Sequence, residues 1–264
     1  MVTLEKLRGK NPLVICITND VVQNYTANGL VALGASPAMS IYKEDLVDLL
    51  KYASALLINI GTLTDINYER FKAACEIANN YNVPIILDPV AAGGSKYRLD
   101  VCKYLLENYK IAVVRGNASE IGALIGETIE SKGVDSGAVD NIGALALKAN
   151  EVLKCAIVAT GVVDAVCADG KIKLLKNGSA MMPKVIGTGC LLGAVVGAFV
   201  GVDRENMLET LAYCLSSYNI AGELAEKKVN AHLPGTYQIE FLNALYEVTD
   251  KDVETLKKVE CYNG

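Results

Sequence analysis

The chain has 264 residues, of which 52% are hydrophobic and 21% charged, and its 25 basic and 30 acidic residues give a formal charge of -5. The apolar fraction is far too high for a disordered chain, and the length suits one large α/β domain or two small ones. The acidic balance argues against binding to nucleic acid, because no basic surplus exists to neutralise phosphates. The longest apolar run, Leu191 to Val202, is too short to span a bilayer, so we also expect no membrane partner.

The cysteines are spaced too widely for a metal or redox motif. The closest two of the eight, Cys155 and Cys167, are 12 residues apart, which excludes a C-x-x-C pair. The N-terminal segment MVTLEKLRGK lacks the apolar stretch of a signal peptide. We therefore interpret the cysteines as reduced thiols and expect a cytoplasmic protein.

The first 160 residues alternate short apolar runs with longer segments of helical period. Predicted strands are Leu13–Thr18, Leu56–Ile60, Val83–Leu87, Ile111–Val114 and Cys155–Ala159. Predicted helices are Val21–Leu33, Lys43–Tyr52, Asp65–Tyr81, Val101–Tyr109 and Ala138–Asn150. The strand segments are continuously apolar, which is typical of parallel strands that are buried on both faces. The alternation predicts βαβ units and a mainly parallel sheet flanked by helices.

The pattern changes after residue 160. Val163–Ala168 and Lys171–Leu175 flank an Asp-Gly pair, which predicts a hairpin and hence an antiparallel edge of the sheet. From Gly189 onward the pattern is almost entirely helical. No linker composition interrupts the chain, so we expect residues 1–264 to form a single domain.

The sharpest chemical signal is a glycine-rich segment directly before the apolar run. Gly187, Thr188 and Gly189 allow a tight turn into a helix whose first free N–H groups would form an anion hole for a phosphoryl group. Cys190 would lie in the same positive field, which predicts a lowered thiol pKa and a thiolate able to accept a proton. A plain loop followed by a core cysteine fits the same residues.

Three charged residues follow predicted strands. Asp88 ends one strand, where ligands of open parallel sheets bind, and could hold Mg²⁺ or simply cap the next element. Arg115 could contact nucleotide phosphates through its guanidinium fork. Glu120 could serve a metal ion, although Asn117 three residues earlier also makes a capping box at a helix start.

Other segments give weaker signals. Asp20, Asn24 and Asn28 recur every four residues, which predicts a polar helix stripe that faces either a site or solvent. Thr160 follows the last parallel-type strand and could bind a phosphate or form an ordinary turn. Met39 on its own is more typical of core filler. The chain has no Walker A motif, and His232 is its single histidine, which excludes an H-E-x-x-H zinc site.

Taken together and in order, these segments resemble the hydroxyethylthiazole kinases of the ribokinase-like superfamily. The matching text is NPLVICITNDVVQNYTANGLVALGASPAMS, LDPVAAG, RGNASEI, GVDS, ATG, KVIGTGCLL and, near the end, PGTYQ. The resemblance implies an α/β fold of three layers (αβα), with a mainly parallel central sheet, helices on both faces and a short antiparallel edge. It implies ATP- and Mg²⁺-dependent phosphorylation of the hydroxyethyl group of 4-methyl-5-(2-hydroxyethyl)thiazole, in thiamine salvage.

The resemblance also assigns roles to residues. It implies substrate contacts for Met39 and Gly187, and ATP contacts for Arg115 and Thr160. Asp88 and Glu120 match the acidic Mg²⁺ and phosphate positions. Cys190 stands where most ribokinase-like kinases carry an aspartate base, and either deprotonates or orients the alcohol. A homotrimer with active sites between subunits is expected on the same ground.

The chain departs from the family pattern at Ile15, Asp20 and Ser179, which replace a common His, Tyr and His. We expect the first two to lie near the thiazole pocket, so they leave open a kinase for a pyridoxal- or hydroxymethylpyrimidine-like alcohol. A nucleotide-dependent lyase acting on hydrated NAD(P)H is a further alternative, which Cys190 disfavours because such lyases carry an aspartate in the anion-hole motif. A non-catalytic ligand-binding protein is the last.

Overall fold

A computed structural model describes residues 2–127, 139–229 and 232–262. The GVDS segment at 133–136 and the first residue of the helix predicted from Ala138 lie outside the described residues. The described strands are β1 Leu13–Ile17, β2 Ser36–Ala38, β3 Ala55–Asn59, β4 Ile85–Asp88, β5 Val113–Asn117, β6 Ala156–Thr160, β7 Asp164–Ala168, β8 Lys171–Leu175 and β9 Val259–Cys261.

Helices connect and cover these strands. They are α1 Leu4–Lys10, α2 Gln23–Leu33, α3 Lys43–Leu50, α4 Asp65–Asn80, α5 Lys96–Asn108, α6 Ala118–Leu124, α7 Val139–Leu153, α8 Thr188–Val202, α9 Met207–Lys228, α10 Pro234–Glu247 and α11 Asp250–Leu256. A single 3-10 turn, Met182–Lys184, precedes α8. None of the helices in the described parts of the chain is long and apolar enough to cross a membrane.

The nine described strands form one sheet in the order β2-β1-β3-β4-β5-β6-β7-β8-β9. The pairings from β2 to β6 are parallel, and those from β6 to β9 are antiparallel. This confirms the predicted mainly parallel sheet, the hairpin after residue 160 and the antiparallel edge. The nearly all-helical prediction for the last part of the chain is wrong at β9, which pairs with β8 and so depends on a distant partner.

Helices on both faces of the sheet bury two hydrophobic layers. Alternate residues of β1 face opposite sides, so Cys16 packs in the layer with α8 and α9, whereas Ile15 packs in the layer with α3 and α4. Ile15 is wholly buried among apolar residues. Its side chain therefore belongs to the core and is not available for direct contact with a ligand.

The central helix α8 lies close to the sheet. Three glycines spaced four residues apart share the face that meets β3 and β4. A Cβ atom would lie 3.0 Å from Leu57 Cδ1 at Gly193, 3.3 Å from Ala55 Cβ at Gly197 and 2.9 Å from the carbonyl oxygen of Ser54 at Gly201. The absence of side chains on this face sets the height at which the start of α8 stands above the strand ends.

The structure also shows where the polar stripe lies and that the cysteines are unpaired. Asp20, Asn24 and Asn28 are exposed, which fits both a stripe that faces solvent and one that faces an open site. All eight cysteines lie among the described residues and are free thiols.

Candidate active site

The candidate site lies where five adjacent parallel strands end. In sheet order, the polar residues at or close to these carboxyl ends are Asn19 after β1, Asn59 in β3, Asp88 in β4, Arg115 two residues before the end of β5 and Thr160 in β6. The register places Asn59 beside Asp88 and Asn117 beside Thr160. The fold thus aligns polar groups from distant parts of the sequence along one edge, where ligands of parallel sheets bind.

A hydrogen-bonded set of buried groups surrounds Asp88. Its Oδ2 accepts from Asn59 Nδ2 at 2.8 Å and lies 3.6 Å from Arg115 Nη1. Its Oδ1 is buried and has no hydrogen-bond partner in the described structure. Since a buried, unpaired carboxylate oxygen is costly, this atom is the strongest local sign of a ligand-binding position.

Two asparagines connect this carboxylate to the thiol of Cys190. Asn59 Oδ1 accepts from Asn19 Nδ2 at 2.9 Å and from the N–H of Gly61 at 3.1 Å. The same Asn19 Nδ2 lies 3.5 Å from Cys190 Sγ and donates to it. An amide has two N–H bonds on its nitrogen, so Asn19 can serve both acceptors at once.

Burial and neighbouring charges shift the ionisation of the two paired groups. Burial raises the pKa of Asp88 to about 7, against the lowering effect of the Arg115 guanidinium and the Asn59 hydrogen bond. Burial lowers the pKa of Arg115, but the negative charges of Asp88 and Glu120 outweigh it, so that pKa lies above its ordinary value. Arg115 therefore stays a cation in the middle of the site.

The predicted lowering of the Cys190 pKa is wrong for the chain without ligands. Burial raises the pKa of this thiol, and the charge of Asp88 raises it further. Hydrogen bonds from Asn59 and Asn19 and the charge of Arg115 act in the opposite direction but do not reverse the shift. The sequence showed the helix start but not the burial, so Cys190 is a protonated thiol at neutral pH.

The first turn of α8 has the geometry of an anion hole. Gly187 caps the helix with φ +104°, and no side chain caps the N–H groups that follow. A Cβ atom at Gly187 would lie 2.9 Å from the Tyr25 ring, so both its backbone angle and its surroundings require glycine. Thr188, Gly189 and Cys190 supply the first N–H groups, which have no acceptor within the helix.

Two hydroxyl groups also hold the first turn of α8 in place. The Thr188 hydroxyl donates to the carbonyl of Met182 at 2.9 Å, and the buried Tyr218 hydroxyl donates to the carbonyl of Thr188 at 2.6 Å. On the open side, the guanidinium of Arg115 lies against Gly189, where a Cβ atom would be 3.2 Å from Nη2. The predicted anion hole and the predicted phosphate-binding arginine are thus in contact.

Arg115 joins the two halves of the site. Its Nη2 donates to Thr160 Oγ1 at 3.1 Å, and the Thr160 hydroxyl lies 3.4 Å from the carbonyl of Gly116. Its Nη1 faces Asp88, and its Nε is buried without a partner in the described structure. One side chain therefore links Asp88, the start of α8 and the turn after β6.

Glu120 makes the capping box that the sequence offered as the alternative to a metal ligand. Its Oε2 accepts from the N–H of Asn117 at 2.8 Å, while Asn117 Oδ1 accepts from the N–H of Glu120 at 2.9 Å. Its Oε1 accepts from the N–H of Ala91 at 2.9 Å. Both oxygens of Glu120 are thus engaged by backbone, and no cluster of three or more His, Cys, Asp or Glu that could hold a metal ion occurs among the described residues.

The predicted substrate contacts lie at the β1–β2 side of this edge. Met39 is half-buried, follows β2 directly and packs against the core layer of α8. Asp20 is exposed and accepts from Gln23 Nε2 at 3.1 Å. Ser179 is buried, with its hydroxyl accepting from the N–H of Met181, so its polar group is used in the loop before α8.

Asn19 and Asn59 are the site residues that the sequence analysis did not assign. Asn59 ends an otherwise apolar buried strand at the same level as Asp88 in the next strand. A polar residue in this position is unfavourable unless it is used, which is the signal that could have found it. Asn19 carries no comparable signal, because an asparagine after a strand is ordinary turn chemistry.

Comparisons with known proteins show the family to which the chain belongs. The family model described as "Hydroxyethylthiazole kinase family" matches residues 4–251. The chain is 60% identical to "Hydroxyethylthiazole kinase 1" of Streptococcus pneumoniae (strain CGSP14) over 260 residues, which is 98% of this chain and all of that protein. The structure of the hydroxyethylthiazole kinase protein from Pyrococcus horikoshii OT3 matches with a TM-score of 0.89 and 36% identity, covering 98% of this chain and 97% of that one.

A more distant neighbour shares the fold alone. The ADP/ATP-dependent NAD(P)H-hydrate dehydratase from Bacillus subtilis matches with a TM-score of 0.62 at 14% identity, over 90% of each chain. The two kinase likenesses cover nearly the whole length, and the family model matches most of it. The chain therefore belongs to the hydroxyethylthiazole kinase family.

Proposed function

We propose that the five strand ends and the start of α8 form the active site that phosphorylates the hydroxyethyl group of 4-methyl-5-(2-hydroxyethyl)thiazole with ATP, in thiamine salvage. Membership of the family carries the kinase activity and its substrate. The observation that supports this location of the active site is the contact of Arg115 with Asp88, Thr160 and the first turn of α8. Phosphoryl transfer depends mainly on positioning and on charge stabilisation, which this arrangement supplies.

The nucleotide side of the site comprises Arg115 and Thr160. The guanidinium presents a fixed fork of donors, one of which already reaches Thr160, so the pair forms a rigid phosphate-binding surface. The N–H groups of Thr188, Gly189 and Cys190 face the same space and stabilise the charge on the phosphoryl group during transfer. The partial positive charge at the start of α8 adds to theirs.

The residues present fit a magnesium ion held mainly by the nucleotide. Asp88 offers the buried, unpaired Oδ1, and Mg²⁺ is commonly bound by one or two carboxylates together with substrate phosphates and water. Glu120, whose oxygens accept from backbone N–H groups, would contribute its negative charge and would reach a bound ion only through water. When bound, the ion neutralises phosphate charge.

Cys190 acts on the alcohol of the substrate. Its sulfur lies at the start of α8 and is held by Asn19, so a hydroxyl that approaches the anion hole meets it. Because the thiol is protonated in the free chain, we propose that it first orients the hydroxyl by hydrogen bonding. It acts as a base only as the thiolate, after its own proton has passed to water, and then takes the alcohol proton as the bond between the alcohol oxygen and phosphorus forms. Met39 and the backbone of Gly187 bound the thiazole side of the pocket.

The assembly proposal is a homotrimer with active sites between subunits. Its structural support is a set of exposed apolar side chains that flank the candidate site, namely Val21 (74% exposed), Tyr42 (68%) and Ile186 (73%). Exposed apolar groups grouped around a site are typical of an interface. Sedimentation equilibrium should give three times the 28.1 kDa mass of the chain, and a monomeric mass with full activity would contradict the proposal.

The free cysteines support a reducing, cytoplasmic location.

The alternative alcohols lose part of their support. Ile15, which favoured a different ring, is buried in the core and does not face the site. Asp20 remains at the mouth of the site, so substrate range is worth measuring. A turnover assay with ATP should rank the thiazole alcohol above pyridoxal and hydroxymethylpyrimidine. Dehydration of hydrated NADH without alcohol phosphorylation would favour the lyase, and tight thiazole binding without turnover would favour a binding protein.

The decisive variant is Cys190→Ala. Loss of a group that acts on the transferred proton lowers kcat by about 10²–10⁴-fold, whereas the KM for ATP should stay within about twofold. Cys261→Ala is the matched control, since Cys261 is an exposed free thiol in β9, away from the strand ends. Near wild-type turnover of Cys190→Ala would remove the thiol from the chemistry.

A further inference from the structure

The turn between β6 and β7 contains a buried carboxylate that the phosphoryl-transfer scheme does not use. Asp164, the first residue of β7, is 6% exposed. Its Oδ1 accepts from the N–H of Gly161 at 3.0 Å, and its Oδ2 accepts from Asn219 Nδ2 at 2.7 Å. Both oxygens are therefore satisfied, by donors that come from two different elements.

The second donor connects the turn to the middle of α9. Asn219 is 4% exposed and lies in the helix that packs against β6, β7 and α8. A hairpin of this kind needs no buried charge, and burying one is costly even with two hydrogen bonds. Burial raises the pKa of Asp164 to about 6, so the group is a carboxylate at neutral pH at the expense of stability.

The residues that this pair holds are those at the nucleotide side of the site. Gly161 is exposed and directly follows Thr160, whose hydroxyl accepts from Arg115. Asp164 fixes the Gly161 backbone by accepting its N–H, while Arg115 fixes the Thr160 side chain by donating to its hydroxyl. Asp164 is also near enough to Arg115 to feel its positive charge.

We propose that Asp164 and Asn219 are positioning residues for ATP: they hold the Thr160–Gly161 turn in the conformation that receives the phosphates. The proposal rests on the proposed function, in which Thr160 contacts ATP. Neither residue touches the nucleotide. Their effect is to remove the freedom of the turn before binding, which increases affinity because less order has to be imposed by the ligand.

The test compares apparent KM values for ATP and for the thiazole alcohol. Asp164→Ala frees the Gly161 N–H and should raise the KM for ATP about 10-fold, with the KM for the alcohol within about twofold. Asn219→Asp places two carboxylates face to face and should raise the KM for ATP at least as much. Ser216→Ala, at a buried hydroxyl three residues earlier in α9, is the matched control and should change neither constant.

The exchange variant Asp164→Asn/Asn219→Asp rebuilds the carboxylate–amide pair in the opposite sense. The amide introduced at position 164 can accept from the Gly161 N–H and donate to the carboxylate introduced at position 219. The KM for ATP should therefore return to within about threefold of the original value. An exchange variant that does not regain this KM, or does not fold, overturns the proposal. Equal changes in the two KM values for Asp164→Ala would show a merely structural role and would also overturn it.

A parallel Thr160→Val variant separates this inference from the proposed function. If Thr160→Val leaves the KM for ATP unchanged, the proposed nucleotide contact fails and the positioning role fails with it. If Thr160→Val raises the KM for ATP while Asp164→Ala does not, the nucleotide contact stands and the positioning role alone is wrong.

Discussion

At the scale of single residues, Arg115 connects several parts of the site. Its guanidinium reaches Thr160, faces Asp88 and rests on the first turn of α8 at Gly189. This dense packing explains why the second glycine of Gly-Thr-Gly is required. The angle at Gly189 is ordinary for a helix, and it is the guanidinium that occupies the space where a side chain would be.

Gly189→Ala should therefore reduce activity without loosening the fold. The added Cβ would lie 3.2 Å from Arg115 Nη2 and 3.3 Å from Nη1, so the buried guanidinium would have to move by a few tenths of an ångström. We expect kcat/KM to fall about 10-fold, with the larger part in the KM for ATP. Steady-state kinetics beside thermal unfolding would measure both effects.

The control is Gly9→Ala in α1, where nothing lies within 4 Å of the added Cβ. Alanine is favoured over glycine in a helix by about 0.5–1 kcal/mol, so this variant should be slightly more stable and fully active. A kcat/KM for Gly189→Ala within twofold of the original would mean that the guanidinium position is not critical.

At the scale of elements, α8 links the core to the chemistry. Its glycine face lies on β3 and β4, its first turn makes the anion hole, and its residues are buried nearly all round. The helix is therefore positioned by the sheet itself. A change at its far end should be felt first as lost packing energy.

Gly201→Ala and Gly197→Ala should differ in their cost to stability. At Gly201 the new Cβ would lie 2.6 Å from Ser54 Cβ and 2.9 Å from the Ser54 carbonyl oxygen, and backbone cannot move aside easily. At Gly197 the closest atoms are side-chain carbons at 3.3 Å and 3.4 Å. We expect Gly201→Ala to lose about 1–3 kcal/mol of unfolding free energy and Gly197→Ala less than about 1 kcal/mol. Urea denaturation would show this order, and equal losses would contradict it.

The sequence predicts those features that depend on local pattern. The start of α8, the parallel strands β1 and β3 to β6 and the hairpin follow from glycines and continuous apolar runs, whereas the three-residue strand β2, Ser-Pro-Ala, has no such run and is not predicted. The predicted start of α5, Val101, lies five residues after the observed start at Lys96, because the first turn is polar and its signal is the single cap at Ser95. The strand β9 has no local signal of this kind, because it pairs with residues more than 80 positions away.

The residues of the site divide in the same way, into those that a local sequence pattern predicts and those that depend on distant contacts. Asp88, Arg115, Thr160 and the first turn of α8 could be placed together, because strand ends of a parallel sheet share an edge. The roles of Asn19 and Asn59 and the raised pKa of Cys190 could not, since they depend on which groups are buried against each other. The start of a helix predicts a partial positive charge at its N–H groups, but it does not predict how deeply a neighbouring thiol is buried.

At the scale of the whole molecule, buried carboxylates make stability depend on pH. Burial raises the pKa of Asp88 to about 7 and that of Asp164 to about 6, both above the ordinary value of 3.8. The folded chain thus binds protons more tightly than the unfolded chain. The stabilising contribution is present below about pH 4 and is lost as the pH rises through about 6 and 7.

Asp164→Asn should remove the lower part of this dependence. The unfolding free energy of the variant relative to the original chain should rise by roughly 3 kcal/mol between about pH 4 and pH 7 and stay constant above that range. The sign follows because asparagine cannot lose a proton, while the buried aspartate must do so at a cost. Chemical denaturation at several pH values measures the difference, and a difference that is flat over this range would refute the assignment.

The position of α8 has a consequence for the life of the chain in the cell. Because this helix is apolar on every side, it has no face that tolerates water, and any partial opening that lifts it from the sheet exposes the stretch Leu191–Val202 at once. The same movement dismantles the anion hole at its first turn. Loss of catalysis and exposure of an aggregation-prone segment are therefore one event, so molecules that fail as enzymes become targets for chaperones and proteases at the same moment.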